Sequence, residues 1–171
     1  RFVVAPSNDH VERAFNPSKY GELSDAPCFE FTLPSASDPS MAPKGAATLS
    51  VAVSNTPYGL KGGWKRGAER LQRDVLNTLE ALSPGLSKSI VARQTLTPPD
   101  IEARFNAPGG HWHHGEFQVD RLYGLRPVFG VAHYRAPIDG LFITGAGTHP
   151  GGGISGAAGL NAAKAVLEAS K

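Results

Sequence analysis

Between Gly145 and Gly159 the chain places seven of its twenty glycines. The run Gly145-Ala146-Gly147-Thr148-His149-Pro150-Gly151-Gly152-Gly153 is the stretch whose residue types could hold a ligand through backbone alone. Glycine leaves no Cβ between an N–H group and whatever approaches it. A short apolar, β-favouring run, Leu141-Phe142-Ile143-Thr144, precedes the loop and reads as a buried strand. A small-residue helix pattern follows, from about Gly153 or Ile154 to Ala169. A helix start adds unpaired N–H donors and a partial positive charge. Strand, glycine loop and Ala-rich helix in that order suit a phosphate or a dinucleotide. The helical face Ala157, Ala158, Asn161, Ala162, Ala165 suits close backbone approach rather than bulky core filling. The spacing differs from G-x-G-x-x-G and from the lysine-bearing P-loop. A flexible turn ahead of an amphipathic helix is the plain alternative, and the glycine density speaks against it.

Two other groups of residues invite chemistry. His111, His113 and His114 lie in Asn106–Gly115, NAPGGHWHHG. Zinc sites need further ligands at suitable positions, and no Cys or second His pair completes a set, while His133 and His149 carry no spacing argument. No metal is therefore expected, and a loop covering a cofactor, or a hydrogen-bonded structural histidine, is the better reading. Gly153-Ile154-Ser155-Gly156-Ala157 is superficially a nucleophile elbow. Ala157 replaces the final glycine, and the motif follows the loop instead of ending the strand, so serine hydrolysis is disfavoured.

The elements that must position these residues follow from composition and periodicity. The chain has 171 residues and a net charge of +2 with Lys and Arg dispersed, which gives no nucleic-acid patch. Its one cysteine, Cys28, excludes an intrachain disulfide and suits a reducing, cytoplasmic compartment. No apolar run reaches the roughly eighteen residues of a membrane span, and no signal peptide is visible. Arg1–Val4 is β-like. Ser7 or Asn8 can cap a helix over Asp9–Phe15. Cys28–Leu33 and Thr48–Ser54 alternate and read as strands paired antiparallel across the loop Pro34–Pro43. Trp64, Ala68, Leu71, Val75, Leu79 and Leu82 define a helix over Trp64–Leu82 that lies on the sheet. Ile90–Leu96 is expected as a further strand, and Thr97-Pro98 starts a short helix to about Phe105. The expected class is α/β (α+β-like), a mixed or antiparallel sheet with packed helices.

The loop GAGTHPGGGISGAAG resembles the C-terminal flavin-contacting segment of FAD-dependent carotenoid (phytoene) desaturases and their phytoene-dehydrogenase-like relatives. Among these is the pyridine nucleotide-disulfide oxidoreductase domain-containing type. HGEFQVDRLYGLRPVFGVAHYRAPIDGLFITG and PCFEFTLPSASDPSMAPKGAATLSV are similar to that subgroup in order and spacing. The resemblance covers most of the chain. It implies that residues 141–171 are the last strand, glycine loop and helix of a FAD-binding fold. Residues 1–140 would be the C-terminal portion of a substrate domain with its return connection. It also implies that Gly145, Ala146 and Gly147 pass the ribityl–diphosphate region, that Gly152 belongs to the same cofactor loop, and that Gly153, Ile154 and Ser155 face the flavin pyrimidine edge. Many related flavoproteins carry an acidic residue early in this loop; Ala146 and Gly147 stand here, which leaves backbone contacts. His114 and Arg126 become near-flavin or substrate candidates, with an Asp120–Arg126 salt bridge as the plain reading of Arg126.

The function so implied is a FAD-dependent oxidoreductase passing a hydride from an apolar substrate to flavin. The chain would be a C-terminal fragment, without the first dinucleotide-binding βαβ unit, inactive alone, without FAD and self-associating. The alternative is a non-redox phosphate- or nucleotide-binding module.

Overall fold

The computed structural model describes residues 1–115 and 117–170. They form a mixture of helices and one small antiparallel sheet, in two compact units, Arg1–Pro98 and Pro99–Lys171.

The first unit is built on strands β1 (Phe2–Val4), β2 (Phe29–Thr32) and β3 (Ser50–Val53), in the order β1-β2-β3. Phe2 faces Phe31, Val4 faces Phe29, and on the other side Phe29 faces Val53 and Phe31 faces Val51. Successive side chains of a strand alternate between faces. This register therefore lines up Phe2-Phe31-Val51 and Val4-Phe29-Val53 as apolar rows on one face. The Phe2 and Phe31 rings stack with centroids 4.9 Å apart.

Helix α1 (Asn8–Phe15) starts at Ser7, whose hydroxyl accepts from the His10 N–H. The connection after β2 holds a four-residue helix α2 (Pro34–Ser37) and a 3-10 turn at Pro39–Met41. Reciprocal bonds tie its two ends: Thr48 N–H donates to Ser35 Oγ, and Ser35 N–H to Thr48 Oγ1.

Helix α3 spans Trp64–Leu82, the range read from its periodicity. It buries Leu71, Val75 and Leu79, and the last two pack with Phe29, the most buried large side chain of the described residues. Val4, Phe31, Val51, Val53 and Leu86 surround them. The helix is thus a core element laid on the sheet. Glu80, in the last turn of α3, accepts from the N–H groups of Gly85 and Ser87 and so caps the short helix α4 (Leu86–Ser89).

Ile90–Leu96 is not a strand. It runs as irregular chain, and Val91 is 96% exposed. Its β-branched residues carried the expectation, but β-propensity needs a partner edge. The third place in the sheet belongs instead to β1.

The second unit begins with α5 (Pro98–Phe105), whose first residue closes the first unit, and ends with α6 (Ala157–Ala169). Its core is Tyr134, Ala162 and Ala165, with Phe142 packed against them. Leu141–Thr144 forms no extended strand. A single antiparallel bridge, Arg135 to Phe142, is flanked by Ala136 N–H to Leu141 O at 3.0 Å and Ile143 N–H to Tyr134 O at 2.9 Å. The segment is thus one arm of a tight hairpin, with Leu141 exposed. A buried strand needs neighbours on both edges, and among the described residues of this unit only the short arm around Arg135 pairs with this one. The helix also begins later than expected. Gly153 (φ +121°) and Gly156 (φ +69°) hold non-helical backbone, so Gly153, Ile154 and Ser155 belong to the loop.

Candidate functional site

The glycine loop is shaped from within by one side chain. Thr148, fully buried, donates its hydroxyl to Gly145 O at 2.9 Å and its N–H to the same oxygen at 3.0 Å. The Gly151 N–H then donates to Thr148 O at 2.7 Å. Tyr134 fixes the loop to α6. Its hydroxyl donates to His149 O at 2.5 Å and accepts from Asn161 Nδ2 at 2.9 Å. The Ala162 and Ala165 face leaves room for the Tyr134 ring, which is why the helix carries alanine there.

His113 and Phe117 lie against the middle of the loop. The His113 ring occupies the space where a Gly152 side chain would stand, and the Phe117 ring occupies the corresponding space at Gly151. These two glycines are required by close approach. Phe117 and His113 meet edge-to-face with centroids 4.7 Å apart. The Arg126 guanidinium sits 4.8 Å from the Phe117 ring centroid. Arg126 is only 3% exposed; its Nη2 donates to Ala146 O at 2.7 Å and to His113 O. Its Nε is buried without a hydrogen-bond partner among the described residues.

The sequence-derived candidates therefore separate. Arg126 and Ala146 are in direct contact, and His114, itself exposed with φ +56°, places its Cβ 3.7 Å from where a Gly147 side chain would begin. Gly145 and Gly153 have positive φ and open space around them, and the Ile154 side chain is fully exposed. Ser155 accepts from the Ala157 N–H at 3.3 Å, a local turn contact that does not activate it as a nucleophile. Arg126 bonds two backbone carbonyls, and among the described ion pairs Asp120 is not its partner. Among the described residues no three His, Cys, Asp or Glu side chains gather around a common point for a metal. Sequence reading missed Tyr134, Thr148 and the seat of His113. Thr148 alone had a visible signal, as the hydroxyl side chain inside a glycine run.

Burial lowers the His113 pKa, and His111 and Arg126 add to the effect. A histidine with a depressed folded pKa favours the neutral form. Its contribution to stability is intact above about pH 6.5, the unfolded value, and is lost as the pH falls through the lower folded value. Acidification from pH 7 to 5 is therefore expected to lower the thermal midpoint, and His113→Asn should flatten that dependence. An unchanged slope in the variant would show that another group sets it.

No family model matches the chain. Individual proteins do. It is 43% identical over 160 residues to pyridine nucleotide-disulfide oxidoreductase domain-containing protein 2 of Mus musculus, covering 92% of this chain and 28% of that protein. It is 32% identical over 156 residues to the neurosporene-forming phytoene desaturase of Rhodobacter capsulatus, covering 89% of this chain and 28% of that protein. The lycopene-forming phytoene desaturase of Pseudescherichia vulneris is 30% identical over 163 residues, covering 86% of this chain and 31% of that protein. These relatives define an oxidoreductase class. Within it, the chain belongs to the family of phytoene desaturases and pyridine nucleotide-disulfide oxidoreductase domain-containing proteins. It spans less than a third of the length of these relatives. No helix among the described residues is long and apolar enough to cross a membrane.

Proposed function

We propose that the chain is the C-terminal part of a FAD-dependent oxidoreductase that takes a hydride from an apolar substrate. The observation that carries this reading is the glycine loop, whose backbone is open at Gly145 and Gly153 and leads into the start of α6. The residues fit a flavin dinucleotide. No carboxylate lies in Gly145–Ser155 to repel a diphosphate, and helix-start N–H groups favour negative charge. Gly145, Ala146 and Gly147 would hold the ribityl–diphosphate region, and Gly152, Gly153, Ile154 and Ser155 the ring edge. The flavin supplies the hydride acceptor; these residues supply position and electrostatics.

His114, beside Gly147, and the exposed apolar side chains Trp112, Phe129 and Ile154 would face the substrate side. The single buried Cys28 suits a cytoplasmic setting. In this reading, residues 1–140 complete a substrate domain and 141–171 the FAD-binding domain. The remaining flavin contacts come from sequence beyond these 171 residues. A nanomolar site is worth roughly 12 kcal/mol, and losing most of its contacts leaves about 4 kcal/mol, or millimolar binding. The 171-residue chain alone should therefore be colourless and inactive, and exposed apolar side chains such as Val119, Phe129 and Leu167 should make it self-associate. A free phosphate or nucleotide held without redox chemistry is the competing use of the same loop.

The functional test is anaerobic mixing of the full-length protein with apolar polyenes. Bleaching of the flavin absorbance by at least one of them supports hydride transfer. A flavin that stays oxidised with every apolar substrate, yet is reduced by a polar one, would overturn the assignment of substrate class.

A further inference from the structure

We propose that Arg126 is the positioning residue of the glycine loop, setting the Gly147 N–H as an outward donor to a phosphate oxygen. The inference rests on the reading of this loop as ligand-holding. Arg126 is almost completely buried, and its Nη2 reaches Ala146 O at 2.7 Å and the carbonyl of His113. The peptide joining Ala146 to Gly147 is trans. In a planar trans peptide the C=O and N–H point to opposite sides. Drawing the Ala146 oxygen inward to the guanidinium therefore aims the Gly147 N–H away from it. Among the described residues that N–H has no acceptor.

The cost of burying the guanidinium is an observation in its own right. A charged group is rarely withdrawn from water without compensation. Here the compensation is two backbone carbonyls and the face of Phe117. One side chain therefore fixes the loop peptide at Ala146 and the backbone at His113 together. Both bonds leave the same nitrogen, Nη2, and a lysine ammonium, though it carries three donors, ends one bond short of that position. Arg126→Lys should therefore keep the charge and loosen both bonds. Arg126→Met keeps the bulk and removes both bonds.

The probe is inorganic diphosphate, added to the ¹⁵N-labelled 171-residue chain and followed at the Gly147 amide. A saturable shift is expected in wild type. Arg126→Met should weaken it by roughly tenfold or more, the loss of a charge-assisted hydrogen bond's worth of orientation. Arg126→Lys should fall between. The amides of α6 and the Tyr134 ring signals serve as the fold control, and should not move in the lysine variant. Equal Gly147 responses in wild type and Arg126→Lys, or no wild-type response, would overturn the proposal. A second arm uses FAD in the full-length protein. Diphosphate sensed at Gly147 in a protein that binds no flavin would leave the role of Arg126 standing and remove the flavin reading. Flavin binding that is indifferent to both variants would remove the role of Arg126 alone.

Discussion

Gly153→Val is expected to weaken flavin binding in the full-length protein by roughly 5- to 150-fold, from about 1–3 kcal/mol of backbone strain. The cause is conformational. Gly153 sits at φ +121°, a region that side-chain-bearing residues rarely adopt, although nothing crowds the position of its Cβ. A β-branched residue would rotate the peptide and turn its groups away from the ligand. Ile154→Pro should act similarly by deleting the N–H that follows. Alanine at His111, His113 or His114 should cost far less. The loop is braced by Thr148, Tyr134 and Arg126, and truncating His113 removes a ring but leaves the carbonyl that Arg126 holds. Flavin fluorescence titration of the variants decides it, and equal affinity in wild type, Gly153→Val and Ile154→Pro would show that the loop is not the cofactor contact.

Phe29→Ala should cost about 3–5 kcal/mol in the first unit, a large part of the 5–15 kcal/mol typical of a domain. Phe29 is 1% exposed and packs against Val75 and Leu79 of α3, with both sheet neighbours Val4 and Val53 around it. The gap left by its ring would be bounded by strands and helix that cannot close on it without breaking the register. Val91→Ala is the matched control, since a fully exposed valine has no burial to lose. Urea unfolding followed by Trp64 fluorescence should show a large fall in midpoint for Phe29→Ala and almost none for Val91→Ala. Similar midpoints for the two would mean that the Phe29 cluster is not the core of this unit.

Much of this architecture was legible in the residues. Helix α3 declared itself because Leu71, Val75 and Leu79 repeat at helical spacing and all are buried. The β2–β3 pair was visible because each strand alternates and a Pro- and Ser-rich connection separates them. The failures share a cause: a strand is a property of a pair, and sequence shows only one member. Ile90–Leu96 and Leu141–Thr144 carry strand residues, yet the first finds no edge and the second pairs by a single bridge. Phe2–Val4, three residues long, gained its place through the Phe2–Phe31 row.

At the candidate site the glycine density and the interest of Arg126 were readable, and the partners of Arg126 were not. An aspartate six residues before the arginine, Asp120, invites an ion pair. The bonds Arg126 makes go to the carbonyls of His113 and Ala146, thirteen and twenty residues away, and no local pattern encodes them. The start of α6 was misplaced for a related reason. Small residues favour a helix, but Gly153 and Gly156 also permit left-handed backbone, and here they take it.

The flavin content of the purified full-length protein tests the central claim most directly. Absorbance after denaturation should give about one FAD per chain, released from wild type and depleted in Gly153→Val, with none carried by residues 1–171 alone. A full-length protein that is colourless and takes up no added FAD would contradict the account.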